Sequence, residues 1–147
     1  MIPLPTEFSA FLKSLNDHEV RYLLIGGFAV AYHGYPRATD DIDVWVARDR
    51  ENADRLVNAI KAFGFDVPEL SAELFLQEDR IVRMGYPPLC IEVQTSISGV
   101  QFEACYRRRV EGQVSDLAVP IISLPDLKKN KQASGRLKDL ADLENLP

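Results

Sequence analysis

Two short apolar stretches, residues 20–25 and 41–47, are separated by a glycine pair and a polar loop. The first stretch is rich in β-branched and aromatic residues and ends at Gly26-Gly27, which is typical of a buried strand followed by a sharp turn. The segment FAVAYH then predicts a short helix ended by Gly34. The second stretch, DIDVWVA, predicts another strand, so residues 20–47 are predicted to fold as strand, helix and strand.

The remaining segments also alternate between helical and extended patterns. Thr6 to Asp17 carries phenylalanine and leucine at helical spacing, with Thr6 near the cap, and residues 50–62 predict a second helix ended by Gly64. The other predicted elements are strands at 80–86 and 89–95 separated by Pro87-Pro88, extended pieces within 108–122, and a helical region from Ser123 or Asp126 to the C-terminus with a break at Ser134-Gly135. This order predicts an α/β (α+β) fold with a mixed β-sheet flanked by helices, and the length fits a single domain, 1–147.

Composition narrows the classes of function. A formal net charge of −5 excludes a uniform basic field that would recruit nucleic acid, although local basic clusters at 107–109 and 128–138 leave an RNA substrate open. Cys90 and Cys105 are too few and too far apart for a disulfide framework or a CxxC metal site, and Cys90 is expected to be a buried core thiol. The sequence shows no signal peptide and no apolar run of membrane-spanning length, which predicts a cytoplasmic protein.

The strand DIDVWVA carries two carboxylates at alternate positions. Side chains two residues apart in a strand point to the same face, so Asp41 and Asp43 converge while Ile42 points into the core. Adjacent like charges repel unless a cation lies between them, and Mg²⁺ binds one or two carboxylates together with substrate phosphates. Solvated acids on an edge strand, or a cap cluster with Asp40, would give the same pattern, and the strand alone leaves these alternatives open.

A third acidic residue interrupts the apolar strand LCIEVQT. If Ile91 and Val93 face the core, Glu92 faces the opposite side, where Asp41 and Asp43 would lie on a neighbouring strand. An isolated glutamate in a strand usually faces solvent, so this assignment depends on the other two acids. Three carboxylates above a glycine turn predict a metal-dependent phosphoryl-transfer site.

These residues resemble a known superfamily. The segment LIGGFAVAYHGYPRATDDIDVWV, the later acidic strand and the segment LKKNKQASGRLKDLADLENL are similar to nucleotidyltransferases related to DNA polymerase β, and in particular to small bacterial enzymes of the AbiEii type that occur in toxin–antitoxin systems. The resemblance covers both ends of the chain and, through Glu92, its middle. It implies a nucleotidyltransferase fold and the transfer of a nucleotide from an NTP such as ATP.

The resemblance also implies roles for the N-terminal and central residues. Gly26 and Gly27 would hold the nucleotide phosphates, and Asp41 and Asp43 would bind two Mg²⁺ or Mn²⁺ ions that carry the triphosphate. Glu92 would be the third metal-binding carboxylate and would activate the acceptor hydroxyl. This position is often aspartate in the family, and the longer glutamate side chain puts the deprotonation step, but not metal binding, in question.

Arg37 and Thr39 match the segment that precedes the carboxylates in the family. Arg37 would clamp a phosphate through its fork of donors and Thr39 would donate a hydrogen bond to one, whereas a surface arginine and a loop hydroxyl are the structural alternatives. His33 is expected either to cap the short helix or to contribute to the site.

The C-terminal segment would complete the nucleotide site. Lys131 would neutralise the triphosphate and Asp139 would orient it, while a solvated charged helix face is the alternative. Leucines at 137, 140 and 143 lie near one apolar stripe, which leaves Asp139 and Asp142 as neighbours on another face. Arg107–109 is an unassigned basic patch.

The acceptor is not fixed by the sequence. The family implies the 3′ end of tRNA or a protein hydroxyl, in a toxin–antitoxin or defence context with a cognate toxin or antitoxin partner, and small-molecule acceptors such as aminoglycosides are known across the superfamily. A partner subunit or a homodimer would supply acceptor surface that a short chain lacks. The alternatives are a catalytically inactive module that binds nucleotide or a partner protein and, less favoured by the acidic charge, an RNA-binding protein without a nucleotide site.

Overall fold

The computed structural model describes residues 4–85 and 88–147. These ranges contain six helices, six strands and one 3₁₀ turn at Ala72–Leu76. The helices are α1 (Thr6–Asp17), α2 (Gly26–Tyr32), α3 (Arg50–Phe63), α4 (Phe102–Arg107), α5 (Leu124–Ser134) and α6 (Leu137–Asn145). The strands are β1 (Tyr22–Ile25), β2 (Asp41–Val46), β3 (Ile81–Met84), β4 (Cys90–Gln94), β5 (Val110–Val114) and β6 (Leu117–Ile121).

All six strands form one mixed sheet in the order β3-β4-β2-β1-β6-β5. The central strand β2 runs antiparallel to β1 and parallel to β4, and β1 runs parallel to β6. The outer strands β3 and β5 each add an antiparallel edge. The C-terminal end of β1 therefore lies at the same end of the sheet as the N-terminal ends of β2 and β4. The loop that follows β1 meets the loops that precede β2 and β4 there.

The core forms because the strand and helix periods agree with the hydrophobic pattern. Ile42, Val44 and Val46 alternate along β2 and are fully buried. Helices α1 and α3 pack against each other, with Phe11 and Leu56 among their buried side chains. Asp49 caps α3 by accepting a hydrogen bond from a main-chain amide, and Gly64 ends that helix with a positive φ.

Most of the predicted elements are confirmed. The helix at Thr6–Asp17, the break in the C-terminal helical region and Ser123 as the cap of α5 agree with the structure. The two extended pieces within 108–122 are the hairpin of β5 and β6. The short helix α4 and the 3₁₀ turn were not predicted, and Pro87 of the proposed turn lies outside the described residues.

The structure differs from the sequence-based expectation at Cys90 and on helix α6. Cys90 is half-buried rather than in the core, because it stands opposite Asp41 in the β2–β4 register and shares its face. The alternative of a solvated charged face is wrong for Asp139 and Asp142 on helix α6. Leu137 and Leu140 are exposed, at 87% and 42%, whereas Asp139 and Asp142 are buried. In the described part of the chain, no helix is both long and apolar enough to cross a membrane.

Candidate active site

The three carboxylates predicted from sequence meet at the end of the sheet where β1 terminates. Ile25, the last residue of β1, is in register with Asp43 on β2, and Asp43 is in register with Glu92 on β4. Because β2 and β4 are parallel and in register, Asp43 and Glu92 point to the same face. Asp41 stands two residues earlier on that face, so the structure brings all three acids together.

The glycine pair makes room for this arrangement. Gly26 has a φ of +70°, and a Cβ atom there would lie 2.2 Å from Oδ2 of Asp43. A Cβ at Gly27 would lie 2.8 Å from Oγ1 of Thr39. Both distances are impossible for a real side chain, so the backbone after β1 is in direct contact with the carboxylate strand and with the loop before it.

Asp43 is held in an unusual protonation state. Burial, followed by the hydrogen bond and negative charge of Glu92 and the charge of Asp41, raises the pKa of Asp43 from 3.8 to about 8. Burial also acts on Glu92, but the hydrogen bond from Asp43 and the ion pair with Arg83, at 2.7 Å between Nε and Oε1, lower the pKa of that group. The neighbouring carboxylates and burial therefore favour the protonated form of Asp43.

A divalent cation fits this donor set. Within residues 4–85 and 88–147, no group of three Asp, Glu, His or Cys side chains is arranged to hold a metal ion by itself. However, Mg²⁺ commonly uses only one or two carboxylates and takes further oxygens from substrate phosphates and water. The crowded charge of Asp41, Asp43 and Glu92, which forces a proton onto Asp43, is a charge that a cation would relieve.

A cavity of about 460 Å³ opens beside the carboxylates. The residues that line it come from the loop before β2, from the strand ends and from α6: Arg37, Ala38, Thr39, Asp40, Asp41, Pro88, Cys90 and Lys138. The hydroxyl of Thr39 donates to the main-chain carbonyl of Asp41 at 3.2 Å. Lys138 is exposed, and its positive charge opposes the rise in the pKa of Asp43.

The C-terminal residues form a buried ionic cluster. Nζ of Lys131 lies 3.1 Å from Oδ1 of Asp139 and 3.1 Å from Oδ2 of Asp142. Arg37 donates to both oxygens of Asp142, and Arg136 donates to Asp139. The structure therefore brings Lys131 and Asp139 together, but they contact each other and do not line the cavity.

Three residues around the site have no role predicted from the sequence. They are Lys138 and Asp142 in the C-terminal segment and Arg83 on β3. Arg83 stands opposite Glu92 in the β3–β4 register, and a cation beside an acid on the neighbouring strand is a signal that the sequence offered. Asp142 had no local signal, because its partner Arg37 lies 105 positions earlier.

His33 and the basic clusters have other partners. The ring Nε2 of His33 donates to the carbonyl oxygen of Ile122 at 2.7 Å, which ties the end of α2 to the end of β6. In the cluster at 107–109, Arg108 forms an ion pair with Asp126, and Arg109 pairs with Glu111. These contacts reduce the positive charge that would be available to an RNA backbone.

Comparison with known families identifies a family for this chain. The family model described as aminoglycoside-2''-adenylyltransferase matches residues 7–146. No curated protein matches the sequence significantly.

Solved structures share the fold at low sequence identity. TM1012 from Thermotoga maritima, a proposed nucleotidyltransferase, has a TM-score of 0.62 and 16% identity, with 93% of this chain and 88% of that chain covered. The lincosamide antibiotic adenylyltransferase LnuA, determined with lincomycin bound, has a TM-score of 0.62 and 16% identity, over 99% and 97% of the two chains. The antibiotic-resistance factor ANT(2'')-Ia has a TM-score of 0.61 and 11% identity, over 95% and 80%.

Proposed function

Because the chain belongs to the aminoglycoside-2''-adenylyltransferase family, we propose that it transfers the adenylyl group of ATP to a hydroxyl group of a small-molecule antibiotic. Membership of the family makes the chain a nucleotidyltransferase. The acceptor and the roles of individual residues are the proposed part.

One observation supports this assignment most strongly. Asp43 lies in register with Glu92 and directly against the backbone of Gly26, and Asp41 stands on the same face. A pair of carboxylates beside a backbone that only glycine allows is an arrangement that can receive a polyphosphate together with its cation. A structural role alone does not explain why like charges are crowded at the mouth of a cavity.

The reaction is balanced as follows. The acceptor hydroxyl oxygen forms a bond to the α-phosphorus of ATP, the bond between that phosphorus and the bridging oxygen breaks, and pyrophosphate leaves. Bound Mg²⁺ or Mn²⁺, one ion or two, would be held by Asp41, Asp43 and Glu92 and would neutralise charge on the phosphates and on the attacking and leaving oxygens.

The residues of the chain supply positioning and charge. Glu92, held by Arg83, would accept the proton of the acceptor hydroxyl. Lys138 and Arg37 line the cavity and would neutralise the β- and γ-phosphates. Gly26 and Gly27 would hold the phosphates by placing backbone, rather than a side chain, beside the carboxylates. Lys131 and Asp139 would contribute to nucleotide binding through the cluster that they form.

The acceptors of the similar structures favour a small molecule. The cavity is lined by two cations, Arg37 and Lys138, and two carboxylates, Asp40 and Asp41, so it offers partners to the phosphates of a nucleotide and to the amino groups of an amino sugar. ANT(2'')-Ia was determined in complex with adenylyl-2''-tobramycin, and LnuA with lincomycin. The tRNA and protein acceptors, the toxin–antitoxin context and the homodimer expected from sequence gain no support from the family match.

A transfer assay with a panel of acceptors tests the proposal. Purified protein, Mg²⁺ and ATP labelled at the α-phosphate are incubated in parallel with tobramycin, lincomycin, tRNA and a protein extract, and the Asp41→Asn/Asp43→Asn variant is the control. The proposal predicts label on an antibiotic that the variant does not produce. Label on tRNA or protein instead would overturn the acceptor assignment, and ATP binding without transfer to any acceptor would favour the inactive module.

A further inference from the structure

The ionic cluster behind the cavity is built around Asp142. Its carboxylate is only 2% exposed and lies on the inner side of α6. Oδ1 accepts from Nε of Arg37 at 2.7 Å and Oδ2 accepts from Nη2 at 2.8 Å, so the two groups meet as a parallel fork. Nζ of Lys131, itself 5% exposed, lies 3.1 Å from Oδ2.

Stability alone is a poor explanation of this cluster. The cost of removing charges from water usually offsets the attraction within a buried ion pair, and apolar residues of similar volume often stabilise a fold as well or better. Helix α6 had such residues available, but Leu137 and Leu140 are on its exposed side. What two parallel hydrogen bonds provide, and an apolar contact does not, is a fixed orientation of the guanidinium group.

That orientation matters because Arg37 also lines the cavity. Nε and Nη2 are committed to Asp142, and Nη1 donates to the carbonyl oxygen of Ala38 at 3.3 Å. Among the described residues, 4–85 and 88–147, no acceptor is found for the second N–H of Nη1. In the cluster as a whole, the cations Arg37, Lys131 and Arg136 exceed the carboxylates Asp139 and Asp142 by one charge.

We propose that Asp142 is a positioning residue for nucleotidyl transfer, which orients Arg37 so that the free edge of its fork meets the polyphosphate of the nucleotide. Lys131 neutralises the second oxygen of Asp142 and keeps the carboxylate ionised inside the fold. This inference rests on the proposed function, because it takes the cavity to be the nucleotide site. Asp142 itself does not contact the substrate.

Four variants separate positioning from plain structural support. Asp142→Asn keeps the size of the side chain but loses one acceptor and the charge, and Arg37→Lys keeps the charge but loses the fork. The double variant tests whether the two residues act together. Asp126→Asn is the matched control, because Asp126 is also buried and accepts two hydrogen bonds, at 3.0 and 2.9 Å, from Arg108, which does not line the cavity.

Calorimetric titration with Mg·ATP and steady-state kinetics are measured for each variant. We expect Asp142→Asn to weaken Mg·ATP binding and to lower kcat/KM for ATP by about tenfold or more, with KM for the acceptor unchanged, since misplacing one charged contact has effects of this order. Arg37→Lys should show a similar loss, and the double variant should be no worse than Arg37→Lys. Asp126→Asn should lower the melting temperature but leave the ATP parameters within about twofold.

The results that overturn the inference are distinct from failure of the proposed function. ATP affinity unchanged in Asp142→Asn, losses that multiply in the double variant, or an equal loss in Asp126→Asn would each show that Asp142 only supports the fold. If the wild-type protein modifies no acceptor, the proposed function fails. The Mg·ATP titrations still decide the role of Asp142, because they do not require turnover.

Discussion

Asp43 offers a test in which function and stability change in opposite directions. Its pKa in the fold, about 8, is higher than its ordinary value of 3.8, because burial and the charges of Glu92 and Asp41 disfavour the ionised form. The folded state therefore binds a proton more tightly than the unfolded state. Folding stability falls as the pH rises from about 4 to about 8 and is constant above that range.

The size of the effect follows from the pKa difference. A pKa that is about four units higher in the fold would correspond to a loss of between 5 and 6 kcal/mol of folding free energy. Because Asp43 is partly exposed and the Asp43–Glu92 pair can relax, we expect roughly half of this loss, about 2–3 kcal/mol at pH 8. Asp43→Asn removes the charge and keeps an amide donor for Glu92. The variant should melt about 6 °C above the wild type in EDTA at pH 8, and by less than half that margin at pH 5.

Thermal unfolding in EDTA at the two pH values, followed by the same measurement with Mg²⁺ and ATP, checks this prediction. Ligands should raise the melting temperature of the wild type but not that of Asp43→Asn, which should also lose transfer activity. Asp17→Asn, at an exposed ion pair with Lys13, is the control and should show no pH-dependent gain. A variant that melts at or below the wild-type temperature at pH 8 would refute the reasoning about crowded carboxylates.

Three further predictions concern the surroundings of the carboxylates. Gly26→Ala should abolish transfer and lower the melting temperature, because the new Cβ would overlap Asp43 at a positive φ, and a circular dichroism melt beside the transfer assay measures both. Asp139→Asn should destabilise the fold by about 3 kcal/mol at pH 7 in urea titrations. Burial opposes ionisation of Asp139, but hydrogen bonds from Arg136 and other donors lower its pKa to about 2, so the difference between variant and wild type should shrink as the pH falls from about 4 towards 2. A difference that stays constant over this range would contradict the ion-pair explanation. Alkylation by a maleimide should inactivate the enzyme, because Cys90 lines the cavity. ATP should slow this inactivation, and the Cys90→Ser variant should resist it. Mass spectrometry identifies the labelled thiol, and rapid labelling of the buried Cys105 instead would contradict the assignment of Cys90 to the cavity.

The strand pattern made the carboxylate face predictable. Alternation along DIDVWVA placed Asp41 and Asp43 on one side, and the same argument placed Glu92 opposite its apolar neighbours. The sequence did not contain the pairing itself. That Glu92 stands beside Asp43, rather than two residues away, depends on the parallel register of two strands separated by 43 residues or more along the chain.

The C-terminal helix shows why a local pattern can mislead. Leucines at helical spacing indicate an apolar stripe on α6, but the structure buries the acidic face instead, because Lys131 and Arg37 neutralise Asp139 and Asp142 from other parts of the fold. An acidic helix face can be buried when cations meet it with good geometry. Because one of those cations is more than 100 residues away, periodicity within the helix could not predict the direction in which it faces.

The most direct test of the proposed reaction compares the fate of two labels. ATP labelled at the α-phosphate or at the γ-phosphate is incubated with the protein, Mg²⁺ and tobramycin or lincomycin, with Asp41→Asn/Asp43→Asn as the control, and the products are separated and counted. Adenylyl transfer predicts that the α-label appears on an antibiotic and that the γ-label leaves as pyrophosphate, both only with intact carboxylates. A γ-label on the antibiotic, or α-label transfer that survives in the variant, would contradict the assigned chemistry.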